Sequence, residues 1–183
     1  MTSAILVIDV QQEFCGGPRS WDVNGLLSRI NAVTRAAREA GAPVLFIQHE
    51  GPALPHGSPG WHLAEGLRVE ASDLRVPKTT PDAFLRSNVQ ELLQARHVGD
   101  VVVCGLHTQF CIDTTVRRAL ALGYPVTLVS DAHWPWTSEV LTPQQVIAHH
   151  EATLASLASF GPRVQLRRAA ELDLRALSPL PSA

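Results

Sequence analysis

The sequence predicts a three-layer α/β/α fold, in which a parallel sheet lies between two layers of helices. Short apolar runs alternate with segments of helical period about six times along the chain, the order expected of repeated βα units. The apolar runs are continuous rather than alternating, for example Ala4–Ile8 and Val101–Cys104. Strands covered on both faces read this way, whereas a sheet with one wet face alternates.

Each element follows from local chemistry. Ala4–Ile8 is the first strand and ends at Asp9. Asn24 is expected to cap a helix reaching about Ala40, with Leu26, Leu27, Ile30, Val33 and Ala37 on one side and Gly41 stopping it. Val44–Gln48 is the second strand. From His49 to Ser72 the chain is rich in proline and glycine, and a loop that long in a packed domain is usually functional. Leu74–Val76 reads as a short strand, with Pro77 opening a turn that carries Lys78. A helix is expected over about Asn88–Arg96, then the strand Val101–Cys104 running into Gly105. The next helix spans about Phe110 to Leu122 and stops at Gly123. Val126–Val129 is a strand, Pro143 opens a helix to about Ser159, and Val164–Leu166 is the last strand. The tail after Arg168, with Pro179 and Pro181, is expected to fray. No repeat or linker interrupts the chain, so residues 1–183 are expected to form one domain.

Composition narrows the function. Hydrophobic residues make up 45% of the 183 positions and charged residues 17%, which favours a packed globule over disorder. The formal charge of -2 offers no electrostatic footprint for nucleic acid or an anionic membrane. The opening apolar run is too short for a signal peptide or a spanning helix, so a cytoplasmic location is expected. Cys15, Cys104 and Cys111 form an odd set without scaffold spacing, as expected of free thiols in a reducing compartment. The absence of a CxxC pair argues against a zinc ribbon or a thioredoxin-type site. Of 15 basic residues only Lys78 is a lysine. Its survival in an arginine-biased chain points to a task that needs a compact ammonium.

Ligands of parallel α/β sheets bind beyond the carboxyl ends of the strands. Asp9, His49, Lys78, Gly105–Cys111 and Asp131 all follow predicted strands and should share one rim. Cys111 lies near the start of a helix, where unpaired N–H groups and the dipole would stabilise a thiolate. Asp9 could accept the thiol proton, and Lys78 could offset the negative charge. Taken singly, a helix-opening cysteine or a strand-ending aspartate is more often structural. Their convergence with the lone lysine points to nucleophilic catalysis. Cys15 is the rival nucleophile but lacks a helix N-terminus, and Cys104 belongs to the core. Phe14, Trp61, His107 and Trp136 are candidates for an apolar wall that accommodates a ring. Trp134 and Trp136 flank Pro135 and fit a pocket edge, a subunit contact or plain packing. His149 and His150 lie mid-helix, one expected to face solvent and the other a partner group.

Three segments carry a family resemblance: Ala4–Phe14 (AILVIDVQQEF), Val76-Pro77-Lys78, and Val103–Thr115 (VCGLHTQFCIDTT). In this order they resemble the isochorismatase-like cysteine hydrolases. The resemblance implies a Rossmann-like fold with a six-stranded parallel sheet and a catalytic triad of Asp9, Lys78 and Cys111. It also implies a cis peptide at Leu106–His107, with the backbone N–H groups of His107 and Cys111 forming an oxyanion hole. The implied activity is hydrolysis of a small amide-type substrate through a Cys111 thioester, by a homo-oligomer without a cofactor. Nicotinamidases of this family carry an Asp-x-His metal pair after the second strand. Here that stretch is His49-Glu50-Gly51, so no metal is expected, although His49, His56 and His62 could in principle assemble a site. The isochorismatases proper replace the cysteine, so its presence disfavours ether hydrolysis. The competing reading is a non-catalytic ligand-binding or scaffold member of the fold. An NAD-binding module would need a GxGxxG turn after the first strand, which is missing.

Overall fold

The computed structural model describes residues 2–16 and 22–174. Six strands form one sheet: β1 (Thr2–Ile8), β2 (Val44–His49), β3 (Leu74–Lys78), β4 (Val98–Leu106), β5 (Val126–Trp134) and β6 (Val164–Arg167). Every pairing is parallel, in the order β3-β2-β1-β4-β5-β6. Helices α1 (Gln12–Cys15), α2 (Val23–Glu39), α3 (Val89–Gln94), α4 (Asp113–Ala121) and α5 (Pro143–Ser156) connect or cover the strands. The tail from residue 175 onward, including Pro179 and Pro181, lies outside the described residues.

Successive side chains of a strand point to opposite faces, so a continuous apolar run feeds two cores. In β1, Leu6 and Ile8 join one cluster with Leu93 of α3, Val116 and Leu120 of α4 and Leu154 of α5. Ile5 and Val7 join the other, with Leu26, Ile30, Val33 and Ala37 of α2. This division explains why β1 and β4 read as unbroken hydrophobic sequence. It also places Cys104 fully inside the second core.

The strands reach further than the apolar runs indicated. β3 includes Pro77 and Lys78, not a turn. It is the sheet's edge strand, where a proline that cannot donate to the ladder is tolerated. β5 continues past Val129 to Trp134, which carries Asp131 inside the strand. Asp131 therefore does not reach the rim; it accepts from the Ala169 N–H at 2.8 Å and faces Arg168 at 3.5 Å. The cap of α2 is Asp22, whose carboxylate accepts from the Gly25 N–H at 2.8 Å, so Asn24 is already helical. α5 ends at Ser156, short of Ser159. Thr108–Ile112 forms a π-helical turn, and α4 proper begins only at Asp113.

The chain leaves β1 toward β2 on one side and returns as β4 on the other. The crevice between β1 and β4 is the point where the strand order reverses, and β1 there hands over to Asp9. Gly105, paired with Ile8, closes this crevice with φ of 115°. A Cβ at that position would collide with the Ile8 backbone, including its carbonyl oxygen. Gly105→Ala is therefore expected to cost about 2–4 kcal/mol, from both φ strain and overlap. Urea unfolding checks it, and a loss below about 0.5 kcal/mol would show that the two strands can separate freely.

Candidate active site

Three strand ends converge. Asp9 follows β1 with φ of 53°, a left-handed conformation that aspartate tolerates better than most residues. Its N–H donates to the Ile47 carbonyl at 2.8 Å, and its own carbonyl accepts from the Gln11 N–H at 2.9 Å. Lys78 closes β3 in register with His49 of β2. Its side chain is 0% exposed, and Nζ lies 2.7 Å from Asp9 Oδ2. The same Nζ donates to the Thr80 carbonyl at 3.1 Å and approaches Cys111 Sγ at 3.3 Å and His49 Nδ1 at 3.5 Å. An ammonium has three donors, so four acceptors use its whole capacity and share one.

Cys111 sits inside the π-helical turn. The Ile112 N–H reaches back five residues to the His107 carbonyl at 3.2 Å, and the Phe110 N–H shares that acceptor at 3.0 Å. Such wide turns recur at functional sites. The Leu106–His107 peptide bond is cis, as the resemblance implied.

The electrostatics differ from the sequence expectation. A thiol with a lowered pKa was expected near a helix start. Instead burial, and then the Asp9 negative charge, push the Cys111 thiol up to about 12 against a smaller opposing pull from Lys78. Burial also raises Asp9, although Lys78 and a hydrogen bond from the Cys111 thiol oppose it. Asp9 Oδ1 is buried without a partner of full hydrogen-bond geometry. The resting site therefore holds one ion pair, Lys78 and Asp9, beside a neutral thiol. Cys15, at the end of α1, is likewise pushed up to about 12 by burial and touches none of these groups in a hydrogen bond.

The ring candidates separate into two groups. His107 is buried between Phe14 and Trp136, edge-on to both, with centroids 5.5 and 5.0 Å away. Trp136 is 51% exposed and is clasped by Gln109, which accepts its N–H at 3.0 Å and donates to its carbonyl at 2.9 Å. Trp134 instead packs against the core beneath α2. Trp61 lies with His56, at 4.2 Å, and His62, at 5.7 Å, and no ring contact joins it to His107. Burial holds the His107 pKa down at about 4, with the Trp134 carbonyl pulling the other way.

A metal does not fit these donors. His49 turns Nδ1 toward the Lys78 ammonium, and burial followed by that cation lowers its pKa. His56 is paired with Glu50 at 2.8 Å. Among the described residues no group of three or more potential ligands is placed to hold an ion.

Several residues had no sequence signal. Gln11 is fully buried and joins the rim to the long loop. Its amide donates to the His49 and Trp61 carbonyls, both at 2.9 Å, and accepts from the His49 N–H at 2.7 Å. Thr115 ties α4 to the segment after Lys78 by accepting from the Ala83 N–H at 3.2 Å. His133 and Glu151, behind the Cys111 turn, are equally invisible to motif reading.

A family model described as Isochorismatase domain matches residues 3–161. The chain belongs to the isochorismatase family. A solved isochorismatase family protein superimposes with a TM-score of 0.83 at 32% identity, over 90% of this chain and 97% of the other. The chain is 36% identical to a streptothricin hydrolase of Streptomyces noursei, over 71% of its own length and 49% of that protein's. It spans about half the length of the streptothricin hydrolases it matches. It is 29% identical to the ureidoacrylate amidohydrolase RutB of Variovorax paradoxus (strain S110), over 71% of this chain and 68% of the other. No helix among the described residues of this isochorismatase-family chain is long and apolar enough to cross a membrane.

Two outcomes follow from the electrostatics. Iodoacetamide labelling of Cys111 in the free protein should keep accelerating beyond the ordinary thiol pKa of about 8.5. A labelling plateau with its midpoint at or below that value would contradict a neutral resting thiol. His107 stays neutral in the folded state while the unfolded chain takes up a proton near pH 6.5. Stability should thus be full above that pH and fall as pH drops toward about 4, by up to about 3 kcal/mol. His107→Leu should flatten that part of the profile in urea melts at stepped pH; an unchanged slope would assign the loss elsewhere.

Proposed function

We propose that this isochorismatase-family chain hydrolyses an amide-type C–N bond of a small molecule, with Cys111 as the nucleophile. The supporting observation is the position of Lys78 Nζ, 2.7 Å from Asp9 Oδ2 and 3.3 Å from Cys111 Sγ in a buried site. When the thiol proton passes to Asp9, negative charge moves from oxygen to sulfur. The ammonium touches both atoms, so the cation stays partnered before and after the transfer and little reorganisation is needed.

The reaction then runs in two halves. Sγ bonds to the substrate carbonyl carbon as Asp9 takes the thiol proton, and the carbonyl oxygen becomes an oxyanion held by the backbone N–H groups of His107 and Cys111. Collapse breaks the C–N bond, and Asp9 gives its proton to the leaving nitrogen. A thioester remains on Cys111. Water attacks it while Asp9 accepts a water proton; the sulfur leaves and recovers that proton, releasing the acid. The raised pKa of Asp9 suits it to both directions of transfer.

The wall formed by Phe14, neutral His107 and Trp136 favours an uncharged substrate with a flat or ring-shaped body. The relatives supply the first compounds to try. Streptothricin, ureidoacrylate and a series of small primary amides and lactams would be incubated with the protein, following ammonia release and product mass. Saturable binding without turnover of any compound would favour the non-catalytic reading.

On a substrate so identified, Cys111→Ala should abolish turnover and any covalent adduct seen by mass spectrometry. Lys78→Arg and Lys78→Ala should fold yet lose at least about a hundredfold in kcat, a usual size for one catalytic group. The arginine fork would grip Asp9 and hinder it as a base. Near-normal kcat in Lys78→Arg would show that any cation suffices.

A further inference from the structure

Helix α5 contributes nothing to the chemistry above, and only Val146 and Leu154 are buried in it. Two adjacent side chains in its second half nevertheless connect to residues on either side of Cys111, Glu151 through His133 and His150 through Asp113. Glu151 Oε1 lies 3.3 Å from His133 Nε2, and His133 Nδ1 lies 2.9 Å from Thr108 Oγ1. His133 and Thr108 are 2% and 1% exposed. His150 Nδ1 lies 3.0 Å from Asp113 Oδ1, while Arg117 Nε donates to Asp113 Oδ2 at 2.7 Å. Thr108 precedes Cys111 by three residues and Asp113 follows it by two.

The chemistry of this array is directional. A carboxylate at Nε2 orients the ring and holds an N–H at that nitrogen, as carboxylates behind metal-bound histidines do. In the singly protonated ring Nδ1 is then the acceptor, and the Thr108 hydroxyl donates to it. That fixes the hydroxyl rotor and, with it, the start of the turn. π-helical turns are rare and occur mostly as single turns at functional sites.

We propose that α5 clamps the nucleophile turn through Glu151–His133–Thr108 on one side and His150–Asp113 on the other. His133, Glu151 and His150 are positioning residues that hold Cys111 Sγ at its distance from Lys78 and Asp9. The inference rests on Cys111 being the nucleophile. The turn in its own right supports the ring wall, because Gln109 within it clasps Trp136. The Asp113 arm stays ionic: burial would raise its pKa, but hydrogen bonds from Arg117 and His150 outweigh that and lower it.

The test uses the full chain and 4-nitrophenyl acetate, which reports acylation of a reactive thiol without requiring the natural substrate. Thr108→Val keeps shape and removes the hydroxyl; Thr108→Ser restores the hydroxyl without the methyl. Thr108→Val and His133→Phe should each lower kcat about tenfold or more with KM nearly unchanged. Thr108→Ser should stay within about threefold of the parent, and the double variant Thr108→Val/His133→Phe should lose no more than the worse single. If His133→Phe fails to fold, Glu151→Gln takes its place in the cycle. A Thr108→Val protein with normal kcat, or losses that multiply in the double variant, would overturn the clamp. Cys111→Ala is run in parallel to separate the two ideas. Acylation that survives it, or is absent from the parent, removes the nucleophile and the clamp together. Acylation lost in Cys111→Ala but normal in Thr108→Val removes the clamp alone.

Discussion

The buried ion pair of Lys78 and Asp9 is the constraint to which the rest of the rim answers. An ammonium withdrawn from water is stable only when its donors are all used and a counter-charge lies close. Here the counter-charge comes from β1, a carbonyl from Thr80, a ring nitrogen from β2 and a sulfur from the turn after β4. Four segments distant in sequence must therefore arrive at one point. The parallel sheet achieves this because all its strands end on the same side, and the reversal of order between β1 and β4 opens room there.

The same pair decides the protonation of everything around it. With one cation and one anion already in place, a second charge of either sign would be costly. The Cys111 thiol is pushed up, the His49 ring is pushed down, and the site rests with a single compensated pair. In the proposed reaction, reactivity depends on moving one proton within a fixed set of charges rather than on storing a thiolate. A helix-start cysteine suggested the stored thiolate. Burial of the sulfur and the Asp9 charge push the thiol the other way.

Support for this geometry is distributed unevenly. The Asp9 and Lys78 positions follow from strands locked in the central sheet, with β1 almost fully buried. Cys111 has no such strand beneath it, and its turn leans on α4, on α5 and on His133 from β5. The long loop after β2 is anchored by Gln11 and Gln48, whose amides hold the Trp61 carbonyl at 2.9 and 3.0 Å, and further on by Asn31 and Arg38 of α2. The ion pair is thus placed by the sheet, while Cys111 and the surrounding rings are placed by turns and loops. Variation of such loops around a fixed sheet lets one fold serve different substrates.

The sequence by itself determined the alternation of strand and helix, the two-faced core, and which three side chains would meet. Those features rest on local pattern: unbroken apolar runs, helix stops at Gly41 and Gly123, and strand ends that share a direction. It missed whatever depends on neighbours far along the chain. The Lys78 turn became the last step of an edge strand because β2 offered a ladder. Asp131 left the rim because β4 paired with the far end of β5 at His133 and Trp134, and the turn after β6 claimed the carboxylate. Trp61 parted from Phe14, His107 and Trp136 because Gln11 and Gln48 tether its backbone elsewhere. The sign of the Cys111 shift likewise came from burial and from Asp9, neither of which is visible around position 111. Periodicity is written in adjacent residues, but desolvation and pairing exist only once distant segments are packed together.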